Sequence, residues 1–428
     1  MRAARCVPLL AWCLGCGMAA QASPEELSGL LAVVREHYLW DSTLPTDVAV
    51  SAFAEPPELL AHLTARARAE GKDRHWSQVR QARTGTRNPG MFGCDFELDY
   101  GALFLARGPR VFIAQVLPHS GAAAAGWTRG DEVLAVAPAR AGLAAPERQT
   151  PALLGSGWWQ ALGPVDFGTR RWFRLRKPGT DAPVEVCTGM RMTRLDPVPE
   201  SEAPRILERD GHRVGYLQLR GFHRWAEHPL RKVLGHYRKA GVTDLILDLR
   251  YNPGGSLETA ALLLSLLRAG AAPTEVMFQL QGQAGQLAQI QPFWVEPEAL
   301  GPARLAVIVT HFTASAAECL VSALLPYYGR DLALVGERTH GKPVVIGSFP
   351  IPSSPWVVAL PQFRMLNALG EGDYFQGLPD APFRGSSAAA EDDLGHPLGH
   401  PDEASTAAAM AWIVHGARAR GPIAPATD

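Results

Sequence analysis

In the second half of the chain, short apolar runs alternate with helical patterns, and this alternation constrains the fold more than any other feature. Two of the runs, Asp244–Leu249 and Leu305–Thr310, are rich in Leu, Ile and Val. Each run precedes a helical pattern, over Ser256–Leu267 and Ser315–Leu325 respectively. Runs of this length are typical of strands that are buried on both faces. The alternation therefore predicts an α/β core with largely parallel strands.

Two other patterns precede this core. Residues 23–87 show helical periodicity, which predicts a small N-terminal helical region. Residues 88–195 change to short strands and turns, which predicts a mostly-β domain, and a linker rich in Pro and Glu follows at residues 195–205. Because 428 residues are too many for one ordinary core, we expect a multi-domain chain whose α/β core spans residues 205–425.

Residues 1–22 are predicted to be a signal peptide. Two arginines precede the apolar or small stretch Val7–Ala20, and small residues at the cleavage positions would let a mature chain begin at Ser23. The stretch is short for a membrane span, although an uncleaved anchor is an alternative. A lipoprotein cleaved at Cys16 is disfavoured because Cys13 stands where a branched apolar residue is wanted. We therefore expect an exported protein, periplasmic or associated with the periplasmic side of a membrane.

Charge and cysteine content limit the classes of partner and site. The formal net charge is -1, so the basic excess typical of nucleic-acid-binding proteins is absent. Three cysteines lie beyond the predicted signal, and in an oxidising compartment Cys94 and Cys187 are candidates for a disulfide, whereas Cys319 is predicted to be a buried thiol. The Cys and His residues do not have the spacing of zinc ligands, so we expect no metal site.

Three local motifs in the predicted core carry candidate chemistry. The run Asp248–Gly255 ends in adjacent glycines between a strand and a helix, which suits an oxyanion hole or a phosphate site, or is simply a tight turn. Ser315 has small neighbours at a predicted helix start, where a serine is often only an N-cap. Lys342 stands between Gly341 and Pro343 beside apolar residues, where desolvation would lower its pKa, although a solvated loop lysine is the alternative. Together they supply the parts of a Ser–Lys acyl-transfer site.

The order and spacing of these motifs resemble those of the S41 peptidases, the carboxyl-terminal-processing proteases. The matching runs are Asp248–Gly255, Thr313–Glu318 and Gly336–Lys342, and upstream Val116–Val136 is similar to a PDZ domain. The resemblance implies an S41 protease α/β core of the ClpP/crotonase-like type, preceded by a mostly-β PDZ domain and a small N-terminal helical region. It also implies that no cofactor is needed.

Carried onto this sequence, the resemblance implies a nucleophile, a base and an oxyanion hole. Ser315 would be the nucleophile and Lys342 the general base. The N–H of Ala316 and that of Gly254 or Gly255 would bind the oxyanion.

Two departures from the family pattern concern the base. The interval between Ser315 and Lys342 is two positions longer than in the commonest members. Many members also have a Gln four residues after the lysine, which helps to orient it, and here that position is Ile346. The orienting contact must therefore come from elsewhere. Glu318, one helical turn after Ser315, is predicted either to brace a neighbour or to be solvated.

The resemblance further implies how a substrate is captured. The PDZ loop Gly90-Met91-Phe92-Gly93 would bind the free carboxylate of a protein tail and add that tail as an extra strand. The implied reaction is endoproteolysis near the C-terminus of a protein or peptide. An adaptor lipoprotein is a candidate partner, and the sequence predicts no oligomeric state.

One other catalytic arrangement and two other functions compete with this hypothesis. His311, His340 and Asp248 could form a Ser–His–Asp triad with Ser315. The fold could instead serve an inactive protein that binds peptide or lipid. It could also belong to a non-proteolytic acyl enzyme of the crotonase-like type, whose core uses similar glycine-rich oxyanion loops.

Overall fold

A computed structural model describes residues 22–81, 96–201, 203–379 and 383–416. Contacts divide the chain into two units. One is Met1–Ala82 together with Ile346–Gln362, and the other is Arg83–Val345 together with Phe363–Asp428. Within the described ranges, no helix combines the length and the apolar character needed to cross a membrane.

The elements are numbered along the chain. The α-helices in the described residues are α1 (Pro24–His37), α2 (Pro56–Ala69), α3 (Gly121–Ala124), α4 (Thr150–Ser156), α5 (Trp158–Leu162), α6 (Glu227–Lys239), α7 (Leu257–Leu267), α8 (Ala316–Tyr328) and α9 (Ala404–His415). The strands in the same residues are β1 (Gln78–Gln81), β2 (Phe96–Asp99), β3 (Ala102–Arg107), β4 (Arg110–Val116), β5 (Glu132–Ala137), β6 (Arg170–Arg176), β7 (Pro183–Gly189), β8 (Arg191–Arg194), β9 (Arg205–Arg209), β10 (His212–Gln218), β11 (Asp244–Asp248), β12 (Val276–Gln281), β13 (Leu287–Pro292), β14 (Leu305–Val309), β15 (Leu332–Gly336), β16 (Val344–Pro350), β17 (Trp356–Asn367) and β18 (Ser386–Ala389).

The smaller unit contains the predicted N-terminal helices. Helix α1 begins at a capping box, in which Ser23 accepts from the N–H of Glu26 and Glu26 accepts from the N–H of Ser23. Leu30 of α1 and Leu59 and Leu63 of α2 are fully buried. Strand β1 pairs antiparallel with the first residues of β17.

The larger unit is built on a six-stranded sheet in the order β18-β15-β14-β11-β10-β9. All neighbouring strands in it are parallel except β9 and β10. Every residue of β11, β14 and β15 is buried, which explains their continuous apolar runs. The predicted α/β core with largely parallel strands is confirmed.

Helices cover both faces of this sheet. Leu247 and Val307 face a cluster that includes residues of α6, α7 and α8. Ile246 and Ile308, the neighbouring residues along the same strands, face a second cluster that includes Trp412 of α9. Each such side chain contributes about 1.5–3 kcal/mol when it is fully buried, so this double layer holds the carboxyl ends of the strands rigidly.

Residues 96–194 form a mostly-β module, as predicted for this region. Five antiparallel strands in the order β3-β4-β5-β6-β7 make its sheet, and β2 and β8 form a separate pair. An aromatic cluster fills the interior, where the rings of Trp127 and Phe173 lie 4.6 Å apart, edge to face. The short helices α4 and α5 pack within the same module.

One boundary in the core differs from the prediction. The helix expected to end at Leu325 continues to Tyr328, with Pro326 inside its last turn. The proline removes one hydrogen bond but does not end the helix. The helix ends at the C-cap residue Gly329, which has a φ of 50°.

Candidate active site

The predicted nucleophile lies in a strained turn between a strand and a helix. Ser315 follows β14 and forms the N-cap of α8 with φ 56° and ψ -118°. A positive φ at a residue other than glycine costs of order 1–3 kcal/mol, and such strain persists only where the surrounding structure imposes it. Here the preceding residue, Ala314, donates its N–H to the carbonyl of Asn252 at 3.0 Å. The strained turn of Ser315 therefore lies beside the turn that contains Gly254 and Gly255, which we call the glycine turn.

The glycine turn packs directly against the nucleophile. Gly254 has a φ of 101°, and a Cβ atom placed on it would come within 2.8 Å of the Ser315 Cβ and 2.9 Å of the Ala316 nitrogen. Only glycine fits both this conformation and this space. The structure therefore brings together Ser315, Ala316 and Gly254, three of the predicted site residues.

Asn252 shapes the same turn. Its side chain donates to the carbonyl of Leu219 at 2.7 Å and accepts the N–H of Gly254 at 2.9 Å. The next residue, Gly255, has a φ of 140° and forms a parallel bridge with Phe222. The buried Asn252 thus links the glycine turn to the end of β10, a role that the sequence pattern did not reveal.

The predicted base lies in the loop that follows β15. Lys342 is half-buried, and burial lowers the pKa of its ammonium while the Glu318 carboxylate opposes that shift. The residue two positions earlier, His340, donates its N–H to the carbonyl of Thr313 at 2.9 Å. The loop that carries Lys342 is therefore bonded to the segment that precedes Ser315.

Glu318 joins the predicted nucleophile to the predicted base. One carboxylate oxygen accepts the N–H of Ser315 at 3.0 Å and that of Lys342 at 2.8 Å. Because both bonds end on the same atom, the two nitrogens lie no more than about 6 Å apart. The other oxygen accepts from the Thr339 hydroxyl at 2.5 Å and from the N–H of Gly341 at 2.6 Å.

The environment of Glu318 decides between its two predicted roles. Its side chain is fully buried, and burial raises its pKa while the four donors around it act in the opposite direction. A solvated role is therefore wrong, and Glu318 braces the loop of Lys342 against the start of α8 at Ser315.

A second buried network anchors the start of the glycine turn. The Arg250 guanidinium is completely buried and bonds to Asp248 at 2.6 Å, to Glu403 at 2.8 Å and to Asp392 at 3.2 Å. Although burial opposes the shift, Arg129 and Arg250 hold the pKa of Asp392 below its usual range. Breaking one of these ion pairs would leave a buried charge without a partner, which is energetically costly. The network therefore supports the turn rigidly.

The same network reaches the mostly-β module. Tyr251, at φ 61°, donates its hydroxyl to Asp392 and accepts from Arg129 at 2.9 Å. Arg129 also bonds to Asp392 at 2.5 Å. The glycine turn is thereby tied to residues 96–194 through an arginine that sequence motifs did not single out.

Two residues of the alternative triad, Asp248 and His311, have other partners. Asp248 accepts from Arg250 and, at 2.7 Å, from the hydroxyl of Tyr216. The ring of His311 lies 2.9 Å from Glu337. These contacts give Asp248 a structural role beside Arg250.

The remaining predicted residues divide into two groups. Cys319 is buried as predicted, and burial raises its pKa to about 12, while Cys187 is half-buried on β7. Gly90, Met91, Phe92, Gly93 and Cys94 lie outside the described residues. In the part of the chain that the structure describes, no group of His, Cys, Asp and Glu side chains could hold a metal ion.

The core is similar to a known protein family. Residues 213–380 match the model of peptidase family S41. A carboxyl-terminal-processing protease from Picosynechococcus sp. strain PCC 7002 is 28% identical over 247 residues, which are 57% of this chain and 54% of that protein. The protein of the same name from Synechocystis sp. strain PCC 6803 is 29% identical over 208 residues, 47% of this chain and 46% of that one. The chain thus spans about half the length of the curated relatives it matches.

Two solved structures share the fold. A candidate S41 protease from Bacteroides fragilis superposes with a TM-score of 0.67 at 22% identity, covering 90% of this chain and 96% of that one. The photosystem II D1 C-terminal processing protease gives a TM-score of 0.53 at 17% identity, covering 83% and 92%. At these identities the likeness concerns the mixed α/β fold.

Proposed function

We propose that this chain, whose residues 213–380 form a domain of peptidase family S41, is a serine endopeptidase that cleaves proteins near their C-termini. One observation carries the proposal: a single oxygen of Glu318 holds the main chains of Ser315 and Lys342 together. The strain at Ser315 and the close approach of Gly254 support it. All three features serve acyl transfer better than they serve passive binding.

Ser315 and Lys342 divide the chemistry between them. The Ser315 hydroxyl attacks the scissile carbonyl carbon while the neutral Lys342 amine accepts its proton. The lysine then returns the proton to the leaving amine as the peptide bond breaks. A water molecule then attacks the carbonyl carbon of the acyl-enzyme while Lys342 accepts its proton. Lys342 returns this proton to Ser315 Oγ as the ester bond breaks and the acid product leaves. Burial suits Lys342 to this task because its lowered pKa makes the neutral amine available at lower pH.

Two backbone N–H groups would stabilise the oxyanion. Ala316 opens α8, where the first N–H groups of a helix lack partners within the helix. The N–H of Gly254 already donates to Asn252, so we assign the second donor to Gly255. Each such donor contributes roughly 3 kcal/mol to transition-state stabilisation.

Substrate capture is assigned to the upstream module. Residues 88–195 would act as a PDZ domain, and Gly90-Met91-Phe92-Gly93 would bind the carboxylate of the substrate tail. The antiparallel sheet and short helices of residues 96–194 support this assignment. Residues 1–22 would direct export to the periplasm, where a Cys94–Cys187 disulfide could form and an adaptor lipoprotein could deliver substrates.

The test is cleavage of a protein that ends in an apolar tail. We expect the wild type to cut it, and S315A and K342A to be inactive. The matched control is S322A, which removes a largely buried hydroxyl from the same helix and should retain activity. A wild type that binds tails but neither cuts them nor reacts with a fluorophosphonate would favour a binding protein of the same fold.

A further inference from the structure

Three large apolar side chains stand exposed within one short segment of the mostly-β module, residues 159–167. Trp159 is 73% exposed, Phe167 is 70% exposed and Val165 is 51% exposed. We call this group the aromatic tip. Exposed apolar side chains this close together along the chain mark a candidate binding surface, whereas folding alone would favour their burial.

The aromatic tip is built on an ordered framework. Trp158, beside Trp159 on α5, is buried in the core of the module. The loop carrying Val165 and Phe167 is bonded back by the Thr169 hydroxyl, which donates to the carbonyl of Pro164 at 2.8 Å. The exposed side chains are therefore presented by a folded segment.

A second anchor holds the helix that precedes the loop. The Arg171 guanidinium donates to the carbonyl of Ala161, in α5, at 2.9 Å. Gly163, directly after this helix, turns the chain with a φ of 87°. Because both ends of the loop are held, the tip can bind a surface without first being ordered.

The charge beside the aromatic tip is positive on balance, because two exposed arginines outnumber Asp166, which is exposed between Val165 and Phe167. Arg170 is exposed at the start of β6, and Arg191 is exposed two residues beyond the end of β7. The last residue of β7, Gly189, pairs with Arg170. The N–H of Met190 donates to the carbonyl of Thr169 at 2.9 Å, which brings this second segment beside the loop. Among the described residues, neither arginine lies within 4.0 Å of a carboxylate.

We infer that the aromatic tip inserts into the surface of an anionic lipid bilayer. Tryptophan and phenylalanine favour the interfacial region of a membrane, and arginines at its edge are attracted to anionic headgroups. A protein partner is less favoured because stable protein interfaces bury about 800 Å² per partner, more than three side chains supply. Membrane docking goes beyond the proposed peptidase activity and would hold the enzyme near substrates at the lipid surface.

Another exposed apolar group provides the control. Val295 is 73% exposed, like Trp159, but it ends a segment, residues 276–295, that contains no charged residue. A general affinity of exposed apolar side chains for lipid would involve both groups equally. Specific docking would involve only the aromatic tip.

The experiment is co-sedimentation of the full chain with vesicles of phosphatidylglycerol and phosphatidylethanolamine, and with vesicles of phosphatidylcholine alone. We expect the partition coefficient for the anionic vesicles to fall at least about tenfold in the double variant W159S/F167S and to stay unchanged in V295S. R170Q/R191Q should weaken binding to the anionic vesicles and leave binding to phosphatidylcholine unaltered. All variants share the same N-terminal residues, so any affinity of that segment cancels in the comparison.

Thermal unfolding of each variant checks that the fold is retained, and the aromatic-tip substitutions are expected to leave it unchanged because these side chains are exposed. Equal partitioning of wild type and W159S/F167S would overturn the inference, as would an equal loss in V295S. So would a tip that proves to bind another protein in the absence of lipid. None of these results depends on peptidase activity.

Discussion

The two halves of the candidate active site are supported in different ways. The proposed nucleophile, Ser315, and the proposed base, Lys342, share Glu318, which is separated from their N–H groups by only 3 and 24 positions. The glycine turn instead depends on Arg250, whose partners Asp392 and Glu403 lie 142 and 153 positions away. The proposed dyad is thus linked within the core, whereas the glycine turn is also bonded to the mostly-β module through Arg129.

The largest effect is expected from removing the support shared by the dyad. E318A leaves four buried donors without an acceptor and frees both the nucleophile and the base, so kcat should fall about 1,000-fold. The negative charge of Glu318 also raises the pKa of Lys342. The midpoint of the residual pH–rate profile should therefore move to lower pH.

The matched variant is E318Q, which keeps the shape of the side chain without its charge. It should shift the pH–rate profile in the same direction and retain more activity than E318A. A loss of activity in E318A with an unmoved pH midpoint would mean that Glu318 supports only the fold.

On the oxyanion side, G254A should lower kcat about 100-fold because the added methyl group meets Ser315 and the Ala316 nitrogen. The control is G270A, since Gly270 also has a positive φ, 76°, but has open space around it. Both variants should lose stability through backbone strain. Only G254A should lose catalysis, and equal kinetics in the two would disprove the close approach.

A smaller effect is expected where the module meets the glycine turn. R129A removes charged hydrogen bonds to Tyr251 and Asp392, and a loss of about 1.4 kcal/mol corresponds to about tenfold in kcat. Binding of the tail, measured as KM, should change little. A pure KM effect would place Arg129 in substrate capture instead.

The smallest effect concerns stability. The pKa of Lys342 is lowered in the folded chain but ordinary in the unfolded one, so the unfolded state binds more protons between these two pKa values. The folded state is therefore penalised at neutral pH, and the penalty disappears as pH rises through that window. K342M should raise the melting temperature by about 2 °C at pH 7, with a difference that narrows at alkaline pH. An unchanged or lower melting temperature at pH 7 would contradict a buried, destabilised ammonium.

Local signals made much of the core predictable. The strand expected at Asp244–Leu249 is observed at Asp244–Asp248, because a fully buried strand must be apolar along its length. Ser315 was a candidate because its neighbours are small, and Lys342 was a candidate because apolar residues follow it. The side chains that support the site could not be recognised in the same way. Arg250 and its partner Glu403, for example, lie 153 positions apart and share no sequence motif.

Other elements lacked a periodic signal. The hairpin of β12 and β13 is rich in glutamine, and β13 is mostly exposed, so its apolar residues do not alternate clearly with polar ones. Helix α9 is rich in Ala, which favours a helix but does not indicate which face is buried. Glu318 was visible in the sequence, but its role depended on a fold that brings Gly341 and Lys342 back to it.

The most direct test of the Ser315–Lys342 dyad is the rate of Ser315 acylation by a fluorophosphonate, measured against pH in the wild type and in K342A. The wild-type rate should rise through one titration whose midpoint lies below the ordinary pKa of lysine, and this titration should be missing in K342A. The same pH dependence in both proteins would show that another group activates Ser315 and would contradict the dyad.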